Sequence, residues 1–217
     1  MKKKEAAIIG LGKFGLTLGQ SLVGLGHPVV GVDASKDKVR NAQDILTHVF
    51  EADATNPEVI RQLGLAEMPV VIVSVGQSLE KSVLIVLHLK EAGVDQVWVK
   101  AISTDHEKVL RKIGADHIIF PERYAAEQLA RKLVVPGLID YLPFGKNVVL
   151  QEIEVKKIAG QSLRSLDLTN QFGVQVVAVK TGSDDEFRFI PKADDILKKG
   201  DILVVLGKEE SVATLNA

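Results

Sequence analysis

The sequence predicts an α/β fold, with a doubly wound parallel sheet over the first two-thirds of the chain and a smaller α+β unit after it. Three observations carry this. Short β-branched runs alternate with amphipathic stretches up to residue 135. The runs are apolar almost throughout, as strands must be when both faces of a sheet are covered. Past residue 146 the helix-length stretches thin out, and strand-length runs lie near Gly-Ser and Gly-Asp turns. A chain of 217 residues has room for two units, each with its own core. The expected organisation is residues 1–135, a connector at 136–146, and residues 147–217.

Six strands are expected in the first part, at 6–9, 28–32, 48–50, 70–75, 97–99 and 117–120. Helical periodicity fills the gaps at 14–25, 36–45, 57–63, 79–91 and 105–113. Gly26, Gly64, Gly93 and Gly114 each follow a last apolar turn, where a left-handed cap ends a helix. Such strand–helix alternation makes parallel neighbours with helices on both faces. A further helix is expected at 124–135, stopped by Pro136-Gly137. The connector has room for one helical turn. Beyond it, strands are expected at 148–155, 174–180, 186–190 and 202–206, with short helices near 165–171 and at the C-terminal end. The acidic cluster Asp184-Asp185-Glu186 reads as a solvated hairpin tip.

Composition narrows the function. With no cysteine, disulfide scaffolds, thiolate zinc sites, Fe–S clusters and a Cys nucleophile are excluded. Lys and Arg number 27 against 28 Asp and Glu, and neither half of the chain concentrates one sign. A nucleic-acid partner, which calls for a basic face, is therefore not expected. Lys2-Lys3-Lys4 is too short for a binding arm. No apolar run approaches the roughly 18–20 residues of a spanning helix, and the N-terminal stretch lacks a signal-peptide cleavage pattern. The expectation is a soluble, cytoplasmic chain.

The first strand runs into Gly10-Leu11-Gly12-Lys13-Phe14-Gly15, a G-x-G-x-x-G. The first glycine allows the tight turn, the second lets a pyrophosphate approach the backbone, and the third lets the helix pack on the strand. Free N–H groups and the dipole at the helix start then attract phosphate. Asp33 ends the second strand and is placed to accept from a ribose hydroxyl pair, while its charge disfavours a 2′-phosphate. A Rossmann-like nucleotide site follows. Lys13 has two readings, a point charge for terminal phosphates or a side chain extended into solvent.

Other candidates lie at later strand ends, on the same edge. Asp53 and Thr55 are suited either to the adenine edge or to capping the helix that starts near Pro57. Ser74-Val75-Gly76 ends the fourth strand, and its glycine permits close approach of a nucleotide. Lys100 and Glu122 end the fifth and sixth strands. They read either as a surface ion pair or as part of a phosphate site, in which the carboxylate needs an intervening cation.

A catalytic constellation does not emerge. His27, His48, His88, His106 and His117 show no metal-ligand spacing and read as packed or capping histidines. Neither a nucleophile elbow nor a P-loop is present. The competing readings are a small NAD-dependent oxidoreductase, which lacks an acid–base residue, and another NAD- or ATP-sensing regulator, which lacks a DNA-binding unit.

Several strings in order carry a resemblance: Ile9-Gly10-Leu11-Gly12-Lys13-Phe14-Gly15, Val32-Asp33, Ala52-Asp53-Ala54-Thr55, Trp98-Val99-Lys100-Ala101 and Ile113-Gly114-Ala115-Asp116. With Phe172-Gly173-Val174 and Lys199-Gly200-Asp201 they make the chain similar, nearly end to end, to the RCK (regulator of K⁺ conductance) proteins. Within that family it most resembles the KtrA/TrkA-type cytoplasmic subunits of bacterial potassium uptake systems. The resemblance implies an RCK-N (TrkA-N) domain that binds a nucleotide and an RCK-C (TrkA-C) domain after it. It implies a regulatory subunit and not an enzyme, working as a dimer within a homo-oligomeric, octameric ring. The ring would gate an integral-membrane potassium transporter of the KtrB/TrkH kind from the inner face of the cell membrane.

The implied ligand is ATP or ADP, with NAD or NADH as alternatives. The implied contacts are Gly10, Gly12, Lys13, Phe14, Gly15, Asp33, Ala34, Asp53, Ala54, Thr55, Ser74, Val75, Gly76, Lys100 and Glu122. Lys13 stands where the family typically has arginine, which keeps the charge and loses the planar fork. Glu122, after Phe120-Pro121, matches a family glutamate near the phosphates and a divalent ion, Mg²⁺ or Ca²⁺. Residues 124–135 match a crossover helix exchanged between partners. RCK-C of some relatives dimerises around cyclic di-AMP, for which no residues are assigned here.

Overall fold

The computed structural model describes residues 5–76, 78–141, 147–182 and 186–216. Lys2-Lys3-Lys4, residues 142–146 of the expected connector and the Asp184-Asp185 tip lie outside the described residues. Contacts divide the chain into two compact units, Met1–Glu122 and Arg123–Ala217.

The first unit alternates β1 (Ala6–Ile9), α1 (Lys13–Gly24), β2 (Val29–Asp33), α2 (Lys36–Ala42), β3 (His48–Glu51) and α3 (Pro57–Gln62). After a 3-10 turn at Leu65–Glu67 come β4 (Val71–Val73), α4 (Leu79–Glu91), β5 (Val97–Lys100), α5 (Thr104–Lys112) and β6 (His117–Ile119). The sheet is parallel throughout, in the order β3-β2-β1-β4-β5-β6, with Ala7 opposite both Val30 and Val71. β1 shows why its run is unbroken. Ala7 and Ile9 pack on one side with Val73, Ile85 and Val99, while Ala6 and Ile8 pack on the other with Leu11 and Leu46. The four glycines expected to end helices all take positive φ, from 62° to 88°. The strand expected at 70–75 is confined to Val71–Val73, and Ser74 after it lies against the backbone of Gly10.

Helix α6 (Pro121–Val134) leads from the first unit into the second, and none of its residues is buried. Tyr124, Leu129, Leu133 and Val134 are all exposed. The second unit continues with β7 (Leu138–Tyr141), β8 (Val148–Glu154), α7 (Leu163–Leu166), α8 (Leu168–Phe172), β9 (Gln175–Lys180), β10 (Arg188–Phe189), β11 (Ile202–Lys208) and α9 (Glu209–Asn216). Its sheet is antiparallel, in the order β10-β9-β11-β8-β7, around a core that includes Val149, Ile153, Leu203 and Val205.

Two expectations change here. Residues 138–141, read as connector, form an edge strand. Leu138 enters the core, Gln151 Nε2 donates to the Pro136 carbonyl at 2.8 Å, and Glu152 N donates to the Gly137 carbonyl at 2.7 Å. The single helix expected near 165–171 is two, broken at Asp167. That residue takes φ +46° and accepts from Asn170 Nδ2 at 2.7 Å. Among the described residues no helix is long and apolar enough to cross a membrane.

Candidate functional site

Every strand of a parallel sheet delivers its carboxyl end to one edge, and here strand order reverses between β1 and β4. Open α/β sheets bind ligands in the crevice at such a point. The three glycines of the loop after β1 do different things there. Gly10 takes φ +99°, and a Cβ on it would lie 2.6 Å from the Ser74 carbonyl oxygen. Across this close crossing Ser74 N donates to the Ile9 carbonyl at 2.7 Å. Gly15 is tighter still, since a Cβ would lie 2.1 Å from the Gly10 carbonyl oxygen. Gly12 is the N-cap of α1, and a Cβ there would meet nothing within 4 Å. The space at Gly12 is thus open, and the N–H groups of the first turn of α1 follow it, an arrangement that suits a phosphate.

Asp33 is nearly buried and committed on both oxygens. Leu11 N donates to Oδ2 at 2.7 Å, Ser35 N donates to Oδ1 at 2.9 Å, and Lys38 Nζ stands 3.1 Å from Oδ2. The carboxylate expected to meet a ribose therefore also holds the glycine loop in place. Lys38 balances its charge, which weakens the electrostatic argument against a 2′-phosphate. Ala34, next along, is exposed.

At the end of β3, Ala52 N donates to the Asp33 carbonyl at 3.1 Å, which joins the two strand ends. Asp53 Oδ1 accepts from Thr55 N at 3.0 Å and Thr55 Oγ1 at 2.8 Å. These bonds, with the charge of Lys81 behind them, outweigh a small desolvation and hold the Asp53 carboxyl below the usual carboxylate range. The cap expected from Asp53 or Thr55 is Asn56 instead, whose side chain accepts from Glu58 N at 3.0 Å. Asp53 is engaged in its own turn, so the residue just before Pro57 does the capping. Ala54 lies in the core and Ser74 is nearly buried, while Val75 is half-buried and Gly76 exposed.

On the other side of the loop, Lys100 Nζ lies 2.5 Å from Glu122 Oε1. It stands 5.7 Å from the centre of the Phe14 ring and 3.9 Å from where Gly76 would carry a Cβ. The bond from Lys100 leads the causes that keep the Glu122 carboxyl below its ordinary range, against slight desolvation. Of the two readings of this pair, the ion pair is made. Lys13, at the first helical position of α1, is exposed.

The structure thus joins Gly10 to Ser74, Leu11 to Asp33, and Lys100 to Phe14, Gly76 and Glu122. Sequence reasoning missed Lys38, Lys81 and Asn56. Only Asn56 carried a signal of its own, as an Asn directly before a helix-starting Pro. Among the described residues no three His, Asp or Glu side chains are grouped to hold a metal ion. Glu122 has Lys100 as its cation, so these residues do not by themselves make the divalent site the resemblance implied.

The model of the TrkA-N domain matches residues 6–121, and that of the TrkA-C domain matches residues 150–217. The chain belongs to the RCK/TrkA family of potassium-uptake regulatory subunits. It is 39% identical to the Ktr system potassium uptake protein C of Bacillus subtilis, over 97% of this chain and 95% of that one. It is 36% identical to the Ktr system potassium uptake protein A of Vibrio alginolyticus, with the same coverage. Among solved structures, the GsuK RCK domain aligns with a TM-score of 0.62 at 19% identity. That alignment covers 99% of this chain and 47% of the RCK-domain chain, about half its length, and speaks to the fold. The family is regulatory and not catalytic, which sets aside the oxidoreductase alternative.

Proposed function

We propose that the first unit senses an adenine nucleotide at the carboxyl edge of its sheet, and that the occupied site sets potassium transport through an integral-membrane partner. One observation carries the reading: the open space at Gly12 before the free N–H groups of α1. Gly10 and Gly15 shape this loop, Lys13 and Phe14 open the helix, and Asp33 with Ala34 faces the ribose. Asp53, Ala54 and Thr55 take the adenine side, and Ser74, Val75 and Gly76 line the opposite wall. Lys13 and Lys100 place two cations at this edge, which favours a ligand ending in phosphates, ATP or ADP, over NAD or NADH.

Signalling then needs no chemistry on the ligand. A nucleotide shifts a homo-oligomeric ring only by binding two of its shapes with different affinity. Moving such an equilibrium from 1:99 to 99:1 takes about 5.5 kcal/mol, which identical sites in a ring supply jointly. The partner is a transporter subunit of the KtrB/TrkH kind, which holds the chain at the inner face of the membrane. Cyclic di-AMP attaches to the second unit in this reading. There, a cavity of about 270 Å³ beside Leu168, Gln175 and Pro191 is small for a dinucleotide, so apposed copies would complete it.

Titration calorimetry of the full chain with ATP, ADP, NAD and NADH tests the ligand. Micromolar binding of at least one is expected, and its absence for all four overturns the reading. Potassium flux in liposomes holding the co-purified transporter then tests the output, which should differ between ATP and ADP.

A further inference from the structure

Resting on the nucleotide reading above, we propose that Lys38 makes the ribose end of this site a receptor for a 2′-phosphate, so that the chain takes NADP as well as NAD. An aspartate at the end of the second strand ordinarily serves the opposite preference. Its oxygens accept from the ribose hydroxyls, and its charge repels a phosphate there. Neither condition holds at Asp33. Its oxygens already accept from Leu11 N, from Ser35 N and, at 3.4 Å and 3.1 Å, from Lys38 Nζ. Four bonds fill the roughly four lone-pair sites of a carboxylate. The Asp33 side chain is 8% exposed, so its charge is met by an ammonium more than by water.

The position of the ammonium follows from the same bonds. Oδ2 accepts from Leu11 N at 2.7 Å and from Lys38 Nζ at 3.1 Å, which sets the ammonium beside the glycine loop. A ribose 2′-oxygen in hydrogen-bond reach of either Asp33 oxygen then lies no more than about 6 Å from Nζ. A hydroxyl there must compete with Lys38 for Asp33. A 2′-phosphate need not, because it accepts. An ammonium carries three N–H donors, Asp33 takes two, and a phosphate oxygen takes the third. The Lys38 side chain is 49% exposed, and its flexible four-carbon stem is free to follow such a group. Of the three charged residues that open α2, Lys36, Asp37 and Lys38, all exposed, two are cations. Repulsion at the ribose end is thus cancelled, and a donor stands ready.

Calorimetry of the full chain with ADP, NAD and NADP tests this, on the wild type, Lys38→Gln and Lys38→Arg. Circular dichroism confirms that each variant is folded. The wild type should bind NADP within about fivefold of NAD. Lys38→Gln should weaken NADP relative to NAD by about tenfold, the worth of one partly screened charge-assisted bond. Lys38→Arg should keep the wild-type ratio, since the charge remains. A wild type that binds NADP more weakly than that margin, or not at all while ADP binds, overturns the assignment and leaves the nucleotide reading standing. A ratio that Lys38→Gln leaves unchanged also overturns it, because a lysine that only braces Asp33 would affect both dinucleotides alike. No binding of ADP, NAD or NADP overturns both.

Discussion

The first unit is built on a parallel sheet whose central strands are covered on both faces, and the second on an antiparallel sheet in which β8 alternates. β1, β2 and β4 are buried at every position, whereas β8 alternates buried with half-buried residues until its exposed end. The difference teaches where a ligand site can form. Parallel strands bring all their carboxyl ends, and the helix starts that follow, to one edge. Antiparallel strands divide their ends between two edges and offer no such convergence. All five histidines also lie before residue 123.

The contrast breaks most readily at Gly15. A valine there forces its Cβ against the Gly10 carbonyl, at 2.1 Å without adjustment, and should cost about 3 kcal/mol or more. Hydrogen exchange should then show lost protection across residues 5–122 and retained protection across 147–216. Leu203→Ala is the matching injury in the second unit. Leu203 is fully buried, and its truncation should cost about 3 kcal/mol, with the exchange pattern reversed. If either substitution loosens both units equally, they do not behave as separate bodies.

Gly12→Ala sharpens the comparison within the loop. With open space around the Cβ, it should cost no more than about 1 kcal/mol in stability. ADP affinity should nevertheless fall several-fold, because the methyl group fills the phosphate cradle. A variant that binds ADP like the wild type would remove the distinction between the three glycines.

Acid should separate the units next. His106 is fully buried, and desolvation lowers its pKa from the ordinary value. The unfolded chain then takes up this proton first, so the first unit loses stability as pH falls below about 6.5 toward the folded value. Exchange protection of residues 5–122 should decline over that interval while that of 147–216 holds. His106→Gln should flatten the dependence, and equal slopes in both units would sink the assignment.

The smallest effect is expected at Asp194. Arg164 holds its carboxyl below the usual range through a hydrogen bond and charge, yet both side chains lie in solvent. Asp194→Asn should leave the unfolding midpoint unchanged within error, with or without added salt. A clear drop would mean that this exposed pair does structural work in the second unit.

Legibility followed the same division. The central strands β1, β2 and β4 were readable because burial on both faces leaves an unbroken apolar run. β7 was not, because an edge strand needs only Leu138 in the core, and Pro136-Gly137 before it resembles the start of a loop. The glycine loop and Asp33 were readable from fixed spacing. That Asp33 bonds Leu11 was not, because the two lie 22 positions apart.

By itself the sequence determined the two-part architecture, a doubly wound parallel sheet in the first part, and a glycine-rich turn between its first strand and helix. Those follow from periodicity and local backbone geometry, which neighbouring residues impose on one another. Tertiary structure alone decided which glycine is crowded by backbone and which stands open, and which carboxylates already have partners. Those properties depend on distances between strand ends that only the closed sheet brings together.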